Sequence, residues 1–468
     1  MLDELKANVR KTAVFTIGIL VLVFCYLSYI QVVKSQALAT NSLNKRAIQV
    51  AARIERGKIF DRNGQVLAFS ERDSDGKYER HYPYGAMLAH VIGYSSTKYG
   101  ITGIESSCNG DLAGMKNWGR YLGPIGNLWQ PKTGNNVTLT IDATLEEIAY
   151  RALGNRRGAI VALNPKTGAV LAMVSKPGFN PENLERDWEQ ISSSPESKLL
   201  NRGVQGLYPP GSTLKVMIAE SALAEKITDM KQTFTCEGAW KIGNDYELTE
   251  EHRHAHGKIN LEEALAVSCN ITFGKLTVDL GSKRLADSFS RYGFNRPVNM
   301  ELEEVPVELP DFKHLSDGEL AQTGIGQGGL LVTPLRMAML AAAFANNGSI
   351  MKPYVVSKVT APDGTIIEEF SGQEFLTPTS PALAKLVRQM MVAVVAEGTG
   401  SAAGIRGIKV AGKTGTAENP HGEPHAWFIG FAPADDAQIV VAVIIENAGA
   451  GGEEAAPVAG QIFAGALR

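Results

Sequence analysis

Tyr208-Pro209-Pro210-Gly211-Ser212-Thr213-Leu214-Lys215 places a hydroxyl and an amine three residues apart at the point where a helix begins. Two prolines cannot continue a strand ladder, Gly211 permits a tight turn, and the following run to Glu225 is rich in Leu, Met, Ile and Ala, which favour helix. Residues i and i+3 share a helix face, so Lys215 lies within reach of the Ser212 hydroxyl. Val216, Met217 and Ile218 surround the amine with apolar groups, and burial of that kind disfavours the ammonium form. A serine beside a neutral lysine is an activated nucleophile. A helix N-cap followed by a solvated lysine would read the same, so the stretch needs support from elsewhere in the chain.

Two short motifs supply it. Ser268-Cys269-Asn270 falls in a break between two predicted helices, Leu261 to Val267 and Ile271 to Leu280, where a second hydroxyl and an amide can project into a cleft. Lys413-Thr414-Gly415-Thr416 follows the predicted strand Ile408 to Ala411, and Gly415 lets a ligand backbone approach a strand edge.

The rest of the chain sets the context. With 46 Lys plus Arg against 49 Asp plus Glu in 468 residues, nothing favours nucleic acid as a partner. Thr12 to Val33 carries no charge over roughly 22 residues, enough to cross a bilayer as a helix, and is longer than the apolar part of a cleaved signal. Lys6, Arg10 and Lys11 precede it, which predicts a cytoplasmic tail over 1–11, a single span over 12–33 and the bulk of the chain outside the cell membrane. Outside the span stand Cys108, Cys236 and Cys269, an odd number that indicates no disulfide framework.

Residues 34–150 read as a small, irregular, β-rich pedestal. Its short predicted strands are Ala47 to Ile54, Val66 to Phe69 and Val137 to Ile141, and Arg56 to Gly64 reads as a strand entering an Asn-Gly turn. A second domain, 151–468, opens with two apolar strands, Ala159 to Leu163 and Ala169 to Val174, joined by a tight turn. Helices follow, and strands return at His425 to Ala432 and Ile439 to Glu446 before a final helix. That order predicts an α+β domain, an antiparallel sheet sandwiched by helices.

Ser-x-x-Lys, Ser-x-Asn and Lys-Thr-Gly, in this order and these settings, resemble the signature of penicillin-binding proteins and class A β-lactamases. The chain is similar over nearly its whole length to a class B penicillin-binding protein, a membrane-anchored peptidoglycan D,D-transpeptidase. Arg56 to Gly64 resembles that family's N-terminal signature. Gly324-Ile325-Gly326-Gln327-Gly328 with Thr333-Pro334-Leu335 resembles the stretch before the third motif, and His425 to Pro433 resembles the strand after it. The resemblance implies that Ser212 is the nucleophile and Lys215 its base. It implies that Ser268 relays a proton, Asn270 binds the substrate amide and Lys413 supplies positive charge. Thr414, Gly415 and Thr416 would form the substrate-binding strand, and the backbone amides of Ser212 and Thr416 the oxyanion hole. Stem peptides, β-lactam antibiotics, the membrane and a polytopic glycosyltransferase are the implied partners, with no cofactor required. A β-lactam-hydrolysing or β-lactam-sensing relative is the alternative; Glu301 stands where a deacylating base would be sought, but its surroundings do not reproduce the hydrolase segment.

Cys236, His252, His254 and His256 form a further cluster in sequence, with donor types that ligate zinc and a His-x-His spacing open to one metal. A hydrophilic surface loop with a buried free cysteine is the competing reading, since the compact Cys-x-x-Cys spacing is missing.

Overall fold

A computed structural model describes residues 2–34, 55–74, 76–114, 133–243, 246–420 and 422–468. Helix α1 spans Leu2–Val32; within its segment Glu4–Val32 an 18-residue stretch has a mean hydropathy of 2.4 and none of that stretch is buried, so the helix is long and apolar enough to cross a membrane. The strand expected over Ala47 to Ile54 lies outside the described residues.

The site-bearing part is built on a five-stranded antiparallel sheet. Its strands are β1 (Gly158–Leu163), β2 (Val170–Lys176), β3 (Ala411–Ala417), β4 (His425–Ala432) and β5 (Ile439–Ile445), in the spatial order β3-β4-β5-β1-β2. The hairpin read from the sequence is β1–β2. Strand residues alternate between two faces, and both are covered. Ile160, Ala162, Phe428, Val441 and Val443 pack in a cluster with Ala455, Ala459 and Phe463 of the C-terminal helix. Val161, Trp427, Ile429, Val440 and Ala442 point the other way, into a larger core shared with Met337, Leu340 and Phe344. Among the described residues the helices of ten or more residues after α1 are, in chain order, α2 (Ala143–Leu153), α3 (Lys215–Ala224), α4 (Asn270–Arg291), α5 (Pro334–Ala345), α6 (Pro381–Ala396) and α7 (Gly451–Ala466). Helices α2 and α7 lie on one face of the sheet and α5 on the other.

A second sheet is mixed and has six strands. Its order is Ile366–Glu369, Val356–Thr360, Asn136–Leu139, Ile59–Phe60, Val66–Arg72 and Tyr78–His81. Two of its strands therefore come from far downstream, and Val356 to Thr360 pairs with Asn136 to Leu139. The Asn-Gly turn forms as expected, with Gly64 at φ +87 and the Asp61 carboxylate accepting from the Asn63 and Gln65 amides.

Candidate active site

The Ser212 turn is tighter than an α-helix start. Gly211–Leu214 is a 3-10 turn and α3 begins at Lys215, with Gly211 at φ +55. Gly326 explains how the turn is held: its carbonyl accepts from the Gly211 amide at 2.9 Å, and a Cβ on Gly326, itself at φ +78, would lie 2.0 Å from the Gly211 oxygen. Gly324 to Gly328 is thus a backbone clasp behind the serine. The Trp427 indole N–H donates to the Pro209 carbonyl at 2.9 Å, and the Thr213 hydroxyl to that of Pro210 at 2.6 Å. Ser212 itself is partly exposed.

Lys215 is fully buried, and its Nζ donates to the Ser268 carbonyl (2.6 Å) and Asn270 Oδ1 (2.7 Å), with Ser268 Oγ at 3.3 Å. Burial holds its pKa down at about 8, against the opposing pull of Glu250 and Cys269. Lys413, also fully buried, approaches the same hydroxyl from the other side. Its Nζ donates to Ser268 Oγ at 2.9 Å and to the Thr414 carbonyl at 2.9 Å. Burial, and then the proximity of Lys215, push Lys413 well below the usual lysine range. One hydroxyl between two buried amines is the centre of the site.

Ser268 sits between the short helix Leu261–Ala266 and α4 with a left-handed backbone, φ +62, which a non-glycine residue adopts at a cost of roughly 1–3 kcal/mol. Glu250, which the sequence reading did not single out, stabilises this loop. Its carboxylate accepts from the Asn270 amide at 3.0 Å and the Ile271 amide at 2.8 Å, satisfying the open N–H groups at the start of α4. The Asn270 side chain is fixed at its other end by Nδ2 donating to the Thr249 carbonyl.

Lys413 to Thr416 lies inside strand β3, not after a strand ending at Ala411. The strand pairs with β4 along its whole length, from Ala411 opposite Phe431 to Ala417 opposite His425. Gly415 lies close to its neighbours there: a Cβ would stand a tight 3.0 Å from Thr213 Cγ2 and from Trp427 Cβ. Thr416 is exposed, whereas Thr414 is buried and its hydroxyl meets that of Thr399 at 2.6 Å.

Of the zinc candidates, Cys236 and His256 come together, with Sγ and Nδ1 3.5 Å apart. His252 is 91% exposed beside Glu251, and His254 is exposed with its ring 5.4 Å from that of His256, so neither joins the cluster. The partners are instead Glu250 and Cys269. One donor atom from each of Cys236, Glu250, His256 and Cys269 falls within 4.8 Å of the others. The antiparallel pair Thr233–Cys236 and Gly257–Asn260 carries Cys236 to this point, a pairing invisible in local sequence.

Over residues 158–464 the chain matches the family described as the penicillin binding protein transpeptidase domain, and over 56–135 that of the penicillin binding protein A dimerisation domain. It is 32% identical to the peptidoglycan D,D-transpeptidase PbpA of Mycobacterium tuberculosis, with 99% of each chain covered. It is 31% identical to the peptidoglycan D,D-transpeptidase MrdA of Acinetobacter baumannii over 82% of this chain and 65% of that one. Among solved structures, a D,D-transpeptidase domain from Eggerthella lenta superposes with a TM-score of 0.81 at 36% identity, covering 89% of this chain and 99% of that one. The ceftriaxone acyl-enzyme complex of M. tuberculosis penicillin-binding protein A gives 0.83 at 30% identity, covering 90% and 100%.

Proposed function

The chain belongs to the penicillin-binding protein transpeptidases, as a class B member that cross-links peptidoglycan and is acylated by β-lactams, and from that premise we propose how its own residues perform the reaction. Ser212 Oγ attacks the carbonyl between the two terminal D-alanines of a stem peptide while its proton passes to neutral Lys215. The C–N bond then breaks, the acyl group stays on Ser212, and the leaving D-alanine nitrogen takes a proton through Ser268. An amine of a neighbouring stem peptide next attacks the ester, loses its proton along the same route and releases Ser212 with the cross-link formed. The backbone amides of Ser212 and Thr416 hold the oxyanion, a role worth about 3 kcal/mol per donor in serine enzymes. Asn270 binds the substrate amide, and Thr414, Gly415 and Thr416 with Lys413 bind the terminal carboxylate.

The observation that carries this reading is the Ser268 hydroxyl held between two fully buried lysines. Charging both amines at once is costly in so dry a place. A substrate carboxylate beside Lys413 favours its ammonium, which in turn favours neutral Lys215. Two N–H groups of neutral Lys215 are used by Ser268 O and Asn270 Oδ1, leaving its lone pair for the proton of Ser212. Against a hydrolase, the Glu301 carboxylate is already engaged by the Val355 and Val356 amides. The full-length protein treated with fluorescent penicillin should form an adduct that persists long after the drug is removed and is absent in Ser212→Ala. Labelling of Ser212→Ala would overturn the assignment.

The finer organisation follows the same reading. Helix α1 anchors the chain with 1–11 in the cytoplasm, in keeping with Lys6, Arg10 and Lys11 ahead of the apolar run. A pedestal over 34–150 then raises the 151–468 domain toward the wall, beside a polytopic glycosyltransferase.

Catalysis as described uses no metal, but the four-residue cluster fits a structural zinc. Two thiols, an imidazole and a carboxylate are zinc's own donor types, and the spacings of 3.5 Å from Cys236 Sγ to His256 Nδ1 and to Glu250 Oε1 are the edges of a tetrahedron with metal–ligand bonds of about 2.0–2.3 Å. Cys236, Glu250, His256 and Cys269 would hold the ion, which would tie the loop bearing Ser268 and Asn270 to the strand pair beneath it. Metal analysis of protein purified without chelator should give one zinc per chain, lost in Cys236→Ser and kept in His252→Ala; metal-free wild-type protein rules the site out.

A further inference from the structure

The strand β5 ends in a carboxylate that catalysis as described does not use. Glu446 follows Ile445 and is 11% exposed. Its Oε1 accepts from the Tyr208 hydroxyl at 2.7 Å and from Arg202 Nε at 2.7 Å, and its Oε2 pairs with Arg157 Nε at 2.5 Å. Arg202 is itself fully buried and donates its remaining groups to the carbonyls of Ser197 and Glu196. The carboxylate is thus held by two guanidiniums, of which Arg202 is fixed in turn, and among the described residues the neutral donor it receives is Tyr208, four residues before Ser212. The Tyr208 backbone bridges to Val332 in both directions, and its ring stands edge-on to His425 and Trp427. Trp427 holds the next residue through the Pro209 carbonyl.

Resting on the reading of Ser212 as nucleophile, we propose that Glu446 is a positioning residue for Ser212, acting through the Tyr208 hydroxyl to set the orientation of the Pro209-Pro210-Gly211 turn. Pro209 and Pro210 have fixed φ, so a rotation at Tyr208 is transmitted along the turn and not absorbed by it. Gly326 grips the far end at Gly211, leaving the Tyr208 end to define the angle at which Ser212 enters the cleft. A nucleophile displaced by about 1 Å loses up to a hundredfold in rate, so a small rotation is sufficient to matter.

The test separates binding from chemistry. Acylation of the full-length protein by a chromogenic β-lactam is followed over drug concentration, giving the half-saturating concentration and the maximal acylation rate. Wild-type labelling at Ser212 checks the underlying reading independently. Tyr208→Phe, which removes one oxygen, should lower the maximal rate about tenfold with the half-saturating concentration unchanged. Glu446→Ala, which also leaves Arg202 and Arg157 without this carboxylate, should show at least that loss, and the double variant no more than Glu446→Ala alone, because both break the Tyr208 connection. Glu446→Gln keeps an oxygen acceptor for Tyr208 and should recover most of the rate. Should Glu446→Ala fail to fold, Tyr208→Phe and Glu446→Gln carry the test. A wild-type maximal rate in Tyr208→Phe, additive losses in the double variant, or a change confined to thermal stability would each overturn the proposal.

Discussion

Acylation should be controlled by the charge on Lys215. The group is fully buried and its pKa is held down at about 8, and in the proposed mechanism only its neutral form accepts the proton of Ser212. The rate constant for acylation by a fluorescent penicillin, measured at limiting drug, should therefore rise with pH, by about 50-fold between pH 6 and pH 8, and level off above pH 9. The sign for stability is the same. The folded-state pKa lies below the ordinary value of 10.5, so the unfolded chain binds the extra proton between pH 8 and 10.5 and folding is favoured as pH rises through that window. The full contribution, about 3 kcal/mol, is present above pH 10.5 and lost as pH falls through 8. Stopped-flow mixing over pH 6–9.5, with Ser212→Ala as the blank, measures the kinetic limb. A profile flat over this range, or one still climbing steeply at pH 9.5, would refute the reasoning, since the first removes Lys215 as the base and the second removes its burial as the cause.

Three other outcomes follow from particular contacts. Ser268→Gly should abolish acylation yet raise thermal stability relative to Ser268→Ala by about 1 kcal/mol, because only glycine accepts φ +62 without strain; equal melting temperatures would count against the strain. Gly326→Ala should lower the acylation rate at least a hundredfold in a protein whose circular dichroism is intact, since its Cβ would be 2.0 Å from the Gly211 oxygen that precedes Ser212; normal labelling would show that the clasp does not set the turn. Glu146 is buried with Oε2 accepting from the Met173 amide and Oε1 without a partner among the described residues, and burial raises its carboxyl to about 8. A raised carboxyl favours folding at low pH and loses that contribution as pH climbs through 8, so wild-type protein should lose stability there relative to Glu146→Gln; parallel curves from pH 6 to 9 would refute this.

Much of the site was legible before folding because each motif is local. Ser212 and Lys215 are three residues apart, Ser268 and Asn270 two, and backbone geometry alone ties each pair together. Strand and helix periodicity likewise gave the hairpin Gly158–Leu163 with Val170–Lys176, and both sheet faces are packed as an antiparallel layer between helices requires. The Lys413 strand was placed too early, since pairing with β4, not intrinsic preference, makes Ala411–Ala417 extended. His252 and His254 looked equivalent to His256 in sequence, yet the strand pair beneath turns only His256 toward Cys236.

By itself, then, the sequence showed the anchor-like apolar helix and the three motifs, because those depend on side-chain chemistry at short spacing, and it was the resemblance of those motifs, taken together, to a known family that implied the reaction class. Only the tertiary structure decided which groups meet across long separations: Lys413 on the hydroxyl of Ser268, Glu250 on the amides of Asn270 and Ile271, Gly326 behind Gly211, and Glu446 on Tyr208. The downstream strands Val356–Thr360 and Ile366–Glu369, which join the six-stranded sheet, are of the same kind. The reason is physical. A buried amine, a carboxylate or a sheet edge takes whichever partner the packed core brings within about 3 Å, and that choice is made by the whole fold at once.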